Sequence, residues 1–254
     1  MFQKVKVLVT GASGIIGQAF REEYRHFYSL KLMYHRTPFK AISDEEILRA
    51  DIREFNSVLE SMKNVEAVVH LAAVSNAQAS WSSVCSNNIV GTYNVFEAAR
   101  QMRIKKVVFA SSNHACGFSI LESETVGPEA SVRPDGFYGV GKVFGEALGR
   151  YYSDEFGMSV ICLRIGIFRK ESPRDFFKKI RSGKERHSFY PKEKVIGLWI
   201  GKSDMAQLIH RSLQTNLKFG IFYASSDNTP NVFDTSKTKE LLGFKPNERA
   251  EDYY

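Results

Sequence analysis

Apolar and polar positions follow two rhythms along this chain. Short apolar, often β-branched runs occur at Val5–Val9, Leu30–Tyr34, Ala67–Leu71, Lys106–Ala110, Ser159–Ile165 and Phe219–Ala224. Runs of this length, bounded by turn residues, predict buried strands. Between them, apolar residues recur three and four apart, as in Ala19, Phe20 and Tyr24, or Val95, Phe96 and Ala99, which predicts amphipathic helices. Strands alternating with helices predict an α/β fold, a Rossmann-like doubly wound parallel sheet with a small C-terminal lobe. The main domain is expected over 1–166 and the lobe over 167–254. The late strand Phe219–Ala224 and a short helix, Lys237–Leu242, are expected to return to the main sheet.

The first strand leads into Thr10-Gly11-Ala12-Ser13-Gly14-Ile15-Ile16-Gly17 and then a helical pattern. Strand, glycine turn and helix form the context of a dinucleotide-binding loop. Gly11 permits the tight turn, Gly14 lets backbone approach a pyrophosphate, and Gly17 lets helix and strand pack closely. Ser13, Ile15 and Ile16 complete the loop, whose helix N-terminus attracts phosphates. This assigns residues 1–166 to a dinucleotide-binding domain.

The ends of the other strands add candidates. An acid after the second strand would accept from a ribose 2′-hydroxyl. Here the chain reads Tyr34-His35-Arg36-Thr37. Arg36 could pair with a 2′-phosphate, which favours NADP over NAD, or it could be a solvated loop residue. Asp51, with Ile52 beside it, could accept from an adenine amino group or cap the next helix. Leu71, Ala72 and Ala73 end a strand in small residues that let a cofactor pass close. Asn88, in Asn87-Asn88-Ile89-Val90-Gly91-Thr92, could tie strands together or cap a helix. Ser112 ends another strand, where it could polarise a substrate oxygen or simply make a turn.

Downstream lies Tyr138-Gly139-Val140-Gly141-Lys142. Val140, Val143, Phe144, Ala147, Leu148 and Tyr151 make one helical stripe, so Tyr138 and Lys142 lie one turn apart on the same side. A nearby ammonium should pull the phenol below its usual value of about 10 and make it a usable proton acceptor. By itself this spacing also occurs on many ordinary helix surfaces. Gly141, Gly145 and Gly149 recur every fourth residue on the same helix, suggesting close packing against another helix, as in a homo-oligomer.

Composition narrows the classes. The formal charge of +7 is concentrated between Phe168 and Lys194, which holds ten basic residues against four acidic ones. That stretch is either a solvated face or a lobe that attracts an anionic substrate. No nucleic-acid-binding motif accompanies it, and no run is long enough to span a bilayer. Cys85, Cys116 and Cys162 have no metal spacing and read as reduced thiols, so no metal is expected. A strand pattern at the very start argues against a signal peptide and for a cytoplasmic protein.

Taken in order, Thr10-Gly11-x-x-Gly14-x-x-Gly17, Asp51-Ile52, Leu71-Ala72-Ala73, Asn88-Ile89-Val90-Gly91-Thr92, Ser111-Ser112 and Tyr138-x-x-x-Lys142 resemble the extended short-chain dehydrogenase/reductase family, of the NAD-dependent epimerase/dehydratase type. The resemblance implies a nicotinamide cofactor and a catalytic Ser112-Tyr138-Lys142 set. A closer likeness is to uronate dehydrogenases. It is carried by Phe109 to His114, by Val132-Arg133-Pro134-Asp135-Gly136-x-Tyr138 through Glu146, by Arg164-Ile165-Gly166, and by Leu242-Gly243-Phe244-Lys245-Pro246. It implies substrate contacts from Ser75, Ser112, Asn113, His114 and Tyr138, and cofactor contacts that include Tyr138, Lys142 and Ile165. Ile167 stands where that group has a serine, and no arginine clearly matches its carboxylate-binding one.

The expected activity is an NAD(P)-dependent oxidation of a small acidic sugar by hydride transfer, with Arg174 and Lys194 as anion contacts. Alternatives are a sugar epimerase or dehydratase holding NAD tightly, a sugar-phosphate dehydrogenase, or a non-catalytic NADP sensor.

Overall fold

A computed structural model describes residues 4–184 and 189–254. The elements follow one another as β1 (Lys6–Thr10), α1 (Ile15–Tyr24), β2 (Ser29–Tyr34), β3 (Glu46–Arg49), α2 (Phe55–Ser61), β4 (Ala67–His70), α3 (Trp81–Val84), α4 (Gly91–Gln101), β5 (Lys106–Ser112) and α5 (Gly117–Glu122). Then come α6 (Phe137–Phe156), β6 (Ser159–Ile165), α7 (Pro173–Arg181), α8 (Lys192–Gly197), α9 (Lys202–Gln214), β7 (Phe219–Ala224) and α10 (Ser236–Leu242).

Among the described residues, seven strands form one sheet in the order β3-β2-β1-β4-β5-β6-β7. All neighbouring pairs are parallel. The order reverses direction between β1 and β4, the switch point at which such sheets open a crevice beyond their carboxyl ends. Alternation along the strands builds two cores. Val7, Val9, Val108, Ala110, Ile161 and Leu163 face one side with Phe20 of α1 and Leu208 of α9. Leu8, Val107, Phe109, Val160 and Cys162 face the other with Val95, Phe96 and Ala99 of α4. Both faces are covered, which is why the strand runs read as almost continuously apolar.

The third core joins the region after β6 to Cys116, Ile120 and Val126 from the segment after β5. Phe176, Phe177, Ile180, Tyr190, Val195, Trp199, Val232 and Phe233 pack together there. Within this lobe a bridge pairs Ile167, just past β6, with Trp199. The chain after 166 also contributes β7, paired along β6 from Phe219 to Ala224, and α9, which packs on α1.

The glycine stripe of α6 faces inward. A Cβ at Gly145 would lie 2.2 Å from the Phe109 ring, one at Gly149 2.8 Å from Val160, and one at Gly141 2.9 Å from Val84. The stripe therefore lets α6 press against β5, β6 and α3, and it is not the surface for a second subunit suggested by its spacing. The outward face of the helix carries Phe137, Val140 and Tyr151, all exposed. No described helix is long and apolar enough to cross a membrane.

Candidate active site

One cavity of about 450 Å³ opens at the carboxyl ends of the strands. Gly11, Ser13, Gly14, Ile15, Ile16 and Gly17 line one side with Leu71, Ala72 and Ala73. Ser75, Ser112, Asn113, His114, Tyr138, Lys142 and Ile165 line the other. Local sequence explains the first side. Gly11 takes a φ of +69°, and a Cβ there would meet the Ala72 backbone nitrogen at 2.8 Å. A Cβ at Gly17 would come within 2.8 Å of the Ala12 backbone. The N-terminus of α1, at Gly14, has no side-chain cap. Uncapped N–H groups at a glycine-lined helix start suit a pyrophosphate, so these residues fit a dinucleotide.

An adjoining cavity of about 280 Å³ shares Gly11, Ser13, Ala72 and Ala73 and extends to Arg36, Asp51 and Ile52. It lies beyond the ends of β1 and β2, where a dinucleotide on the glycine loop would place its adenosine. Asp51 does not cap α2, whose N-cap is Glu54. Its carboxylate instead accepts from Arg53 at 2.6 Å and lies 3.3 Å from His35, contacts that hold it at a pKa of about 2. Arg36 stands exposed at the rim with no hydrogen bond or ion pair among the described residues. Asn88 lies behind the wall. Its amide accepts from the Val74 N–H at 2.8 Å and donates to the Val74 carbonyl at 3.0 Å, fixing the loop after β4. A π-helical turn at Cys85–Val90 carries it there, and it is Asn87 that reaches the adjoining cavity.

Tyr138 and Lys142 sit on the inward side of α6. Lys142 Nζ donates to the Ala110 carbonyl at 2.6 Å and lies 5.6 Å from the Tyr138 ring centre. Tyr138 and Ser112 line the same part of the cavity. The Ser112 hydroxyl donates to Asn113 Oδ1 at 2.9 Å and accepts from the His114 N–H at 3.3 Å. The electrostatics reverse the expected direction. Burial pushes the Tyr138 phenol up to about 12, against the opposing pull of Ser112. Burial also pushes Lys142 down to about 8, which Glu146 partly opposes. Desolvating both groups costs more than their proximity returns.

Glu146, one turn beyond Lys142, is itself enclosed. It binds Arg164 through both oxygens at 2.9 Å and accepts from Ser111 at 2.5 Å. Arg164 in turn reaches Tyr223, tying α6, β5, β6 and β7 together behind the cavity.

Asn113 is 4% exposed, and its Nδ2 has no hydrogen-bond partner among the described residues. An unpaired buried donor costs about 1–3 kcal/mol, so an oxygen-rich ligand in the cavity would satisfy it. Arg169 lines the same cavity, just beyond Phe168, with its guanidinium over the Phe176 ring. Sequence reasoning chose Arg174 and Lys194 instead. Arg174 is exposed on α7, because Phe176, Phe177 and Ile180 claim the inner face of that helix. Lys194 donates to the carbonyls of Ser123 and Glu124. Neither lines the cavity. The signal for Arg169 was its closeness to the end of β6, where a parallel sheet places its ligands. Tyr190 and the carboxylate of Asp135 were also missed as partners of the site, and they meet at His114.

The described residues contain no cluster of groups that could hold a metal ion.

Known proteins share this architecture. An L-arabinose 1-dehydrogenase (NAD(P)(+)) of Haloferax volcanii is 32% identical, over 96% of this chain and 97% of that protein. An NAD-dependent glucose-6-phosphate dehydrogenase of the same organism is 31% identical, over 97% and 95%. The crystal structure of uronate dehydrogenase from Agrobacterium tumefaciens superposes with a TM-score of 0.82 at 30% identity, over 98% of this chain and 87% of that one. The model of the NAD dependent epimerase/dehydratase family matches residues 7–191, spanning the glycine loop and both members of the Tyr138-Lys142 pair. With that match over most of its length, the chain belongs to the NAD dependent epimerase/dehydratase family.

Proposed function

We propose that this protein is an NAD(P)-dependent dehydrogenase that oxidises a hydroxyl of a small, negatively charged sugar. The observation that carries the reading is the lining of the main cavity. Tyr138, Lys142 and Ser112 share it with the dinucleotide loop, an unpaired Asn113 donor, His114 and Arg169, and no carboxylate among the described residues lines it. The relatives act, by their names, on a sugar phosphate, a neutral pentose and a uronate. The basic lining favours an anion among these.

The nicotinamide, when bound, supplies the hydride acceptor. The chain's own residues handle the proton. Ser112 hydrogen-bonds the reacting oxygen, and Tyr138 takes its proton during oxidation or returns it during reduction. With its phenol near 12, Tyr138 holds a proton well and needs help to lose it. Lys142 is the nearby cation, and its value near 8 lets it exchange a proton close to neutrality. Arg169 pairs with the substrate's carboxylate or phosphate. Arg36 and the 34–37 turn favour NADP over NAD.

The protein acts as a dimer whose interface is the outer face of α4 and α6. Tyr93, Val140 and Tyr151 are exposed there, and a two-fold axis would set each stripe against its copy. Light scattering behind gel filtration that gave a monomer would remove this part.

The test is reduction of NAD⁺ and NADP⁺, followed by absorbance, with glucuronate, galacturonate, glucose 6-phosphate and L-arabinose. Faster turnover of an anionic sugar, with KM raised about tenfold by Arg169→Gln, is the expected result, equivalent to about 1.4 kcal/mol. Preference for arabinose would reject the anionic substrate and keep the dehydrogenase. Cofactor retained through purification with no net reduction would favour an epimerase.

A further inference from the structure

The wall that faces Tyr138 contains an arrangement whose role the proton chemistry leaves unexplained. His114 Nδ1 lies 2.9 and 2.8 Å from the two carboxylate oxygens of Asp135. Both side chains are nearly enclosed, 10% and 3% exposed. A second donor comes from the lobe, since the Tyr190 hydroxyl donates to Asp135 Oδ2 at 3.0 Å. The Tyr190 ring also stacks on the His114 ring, 5.7 Å away and tilted by 24°. The His114 ring meets Tyr138 edge-on at 5.6 Å. The imidazole is thus held in its plane on one side and at one nitrogen, while its edge faces the catalytic phenol.

The carboxylate has a prepared seat. A Cβ on Gly117 would fall 1.8 Å from Asp135 Oδ2, so only glycine leaves it room. The backbone around it is zipped to the His114 segment, with Arg133 N–H donating to Ala115 and Phe118 N–H donating to Arg133. Burying a carboxylate is costly unless it is paired and hydrogen-bonded. Here both conditions are met, by His114 from the cavity wall and by Tyr190 from the core of the lobe.

We propose that Asp135 is a positioning residue for substrate binding: seated by Gly117 and braced by Tyr190, it keeps the proton of His114 on Nδ1 and fixes the ring at the sugar-binding wall. Which nitrogen of a histidine carries the proton is set by the bond that nitrogen makes. The inference rests on the reading that His114 lines the sugar site, and it adds that the lobe governs this contact through Tyr190. It separates the wall into residues that touch sugar and a pair behind them that makes one of those contacts reproducible.

The primary test needs no turnover. Long-range nitrogen–proton correlation spectra of the full chain with saturating NAD⁺, with His114 assigned by comparison with His114→Gln, report its tautomer. We expect one Nδ1–H species in the native protein, moving to an Nε2–H or mixed state in Asp135→Asn. In Tyr190→Phe, the same change should be partial. With the fastest sugar of the panel above, Asp135→Asn should raise KM about tenfold, the loss of about one hydrogen bond. Turnover number and NAD⁺ affinity should stay close to native. An unchanged tautomer in both variants overturns the proposal, as does a loss of turnover number and melting temperature with KM unmoved, which would mark a structural carboxylate. If Asp135→Asn fails to fold, the Tyr190→Phe spectrum decides alone. A silent sugar panel with the expected tautomer shift would count against the dehydrogenase reading and leave the positioning role standing.

Discussion

The glycine-loop side of the cleft is made of backbone, whereas the proposed sugar side is made of side chains from several separate segments. On the first side, Gly11, Gly14 and Gly17 bring main chain to the cavity, and what they offer is the uncapped start of α1. On the second, Ser112 ends β5, Asn113 and His114 follow it, Asp135 precedes α6, Arg169 follows β6 and Tyr190 comes from the lobe. Ser112, Asn113, His114, Asp135 and Tyr190 are further joined by side-chain hydrogen bonds, including contacts to Asp135 at 2.8 to 3.0 Å. A backbone cradle depends on conformation and tolerates changes in the residues around it. A side-chain network depends on each partner, because removing one leaves another buried without its complement.

This contrast can be tested from its strongest point outward. Tyr138→Phe removes the proposed proton carrier and should lower turnover about 10²–10⁴-fold. Cofactor affinity, measured by fluorescence titration, should remain, since the backbone side is untouched. Retained turnover would mean that another group moves the proton.

Glu146→Gln attacks the support behind the sugar side. Arg164 and Glu146 are 4% and 3% exposed, so the change strands a buried guanidinium. Urea unfolding should show a loss of about 3–5 kcal/mol. A loss below about 1 kcal/mol, the value of an exposed pair, would show that water reaches this network.

Lys142→Met tests the desolvation that reverses the expected electrostatics. The folded value of about 8 lies below the ordinary lysine value of 10.5, so between them the unfolded chain binds the extra proton. Stability should therefore rise with pH across that window, by up to about 3 kcal/mol for this group, and the variant should flatten the rise. An unchanged slope would assign it to another residue.

The smallest effect is at the rim. Arg36→Gln should weaken NADP⁺ about tenfold, about 1.4 kcal/mol, and leave NAD⁺ unchanged. Equal affinities before and after would make Arg36 a solvated loop residue and leave the adjoining cavity indifferent to a 2′-phosphate.

Much of the fold was legible because it is written in short-range patterns. Two-residue alternation sorted Val7 and Val9 from Leu8 into opposite cores. The glycine spacing marked the loop, and the one-turn separation of Tyr138 and Lys142 put both on the inward side of α6. The same spacing misled where burial decides. The ammonium near Tyr138 was expected to lower the phenol, yet both groups are desolvated and the phenol rises. The every-fourth glycines suggested packing against another helix, as in a homo-oligomer, yet only Gly141 meets one, at Val84 of α3, while Gly145 and Gly149 meet Phe109 and Val160 of the sheet.

Sequence alone thus determined the sheet, the glycine-lined loop and the one-turn spacing of Tyr138 and Lys142, because each depends on residues within one turn or one strand end. Only the tertiary structure decided which member of a basic stretch enters the cavity, which helix face is internal, and that Asp135 and Tyr190 converge on His114. Those outcomes depend on contacts between residues far apart in the chain, such as the 55 positions between Asp135 and Tyr190. They also depend on desolvation, which exists only once the chain has closed around the group.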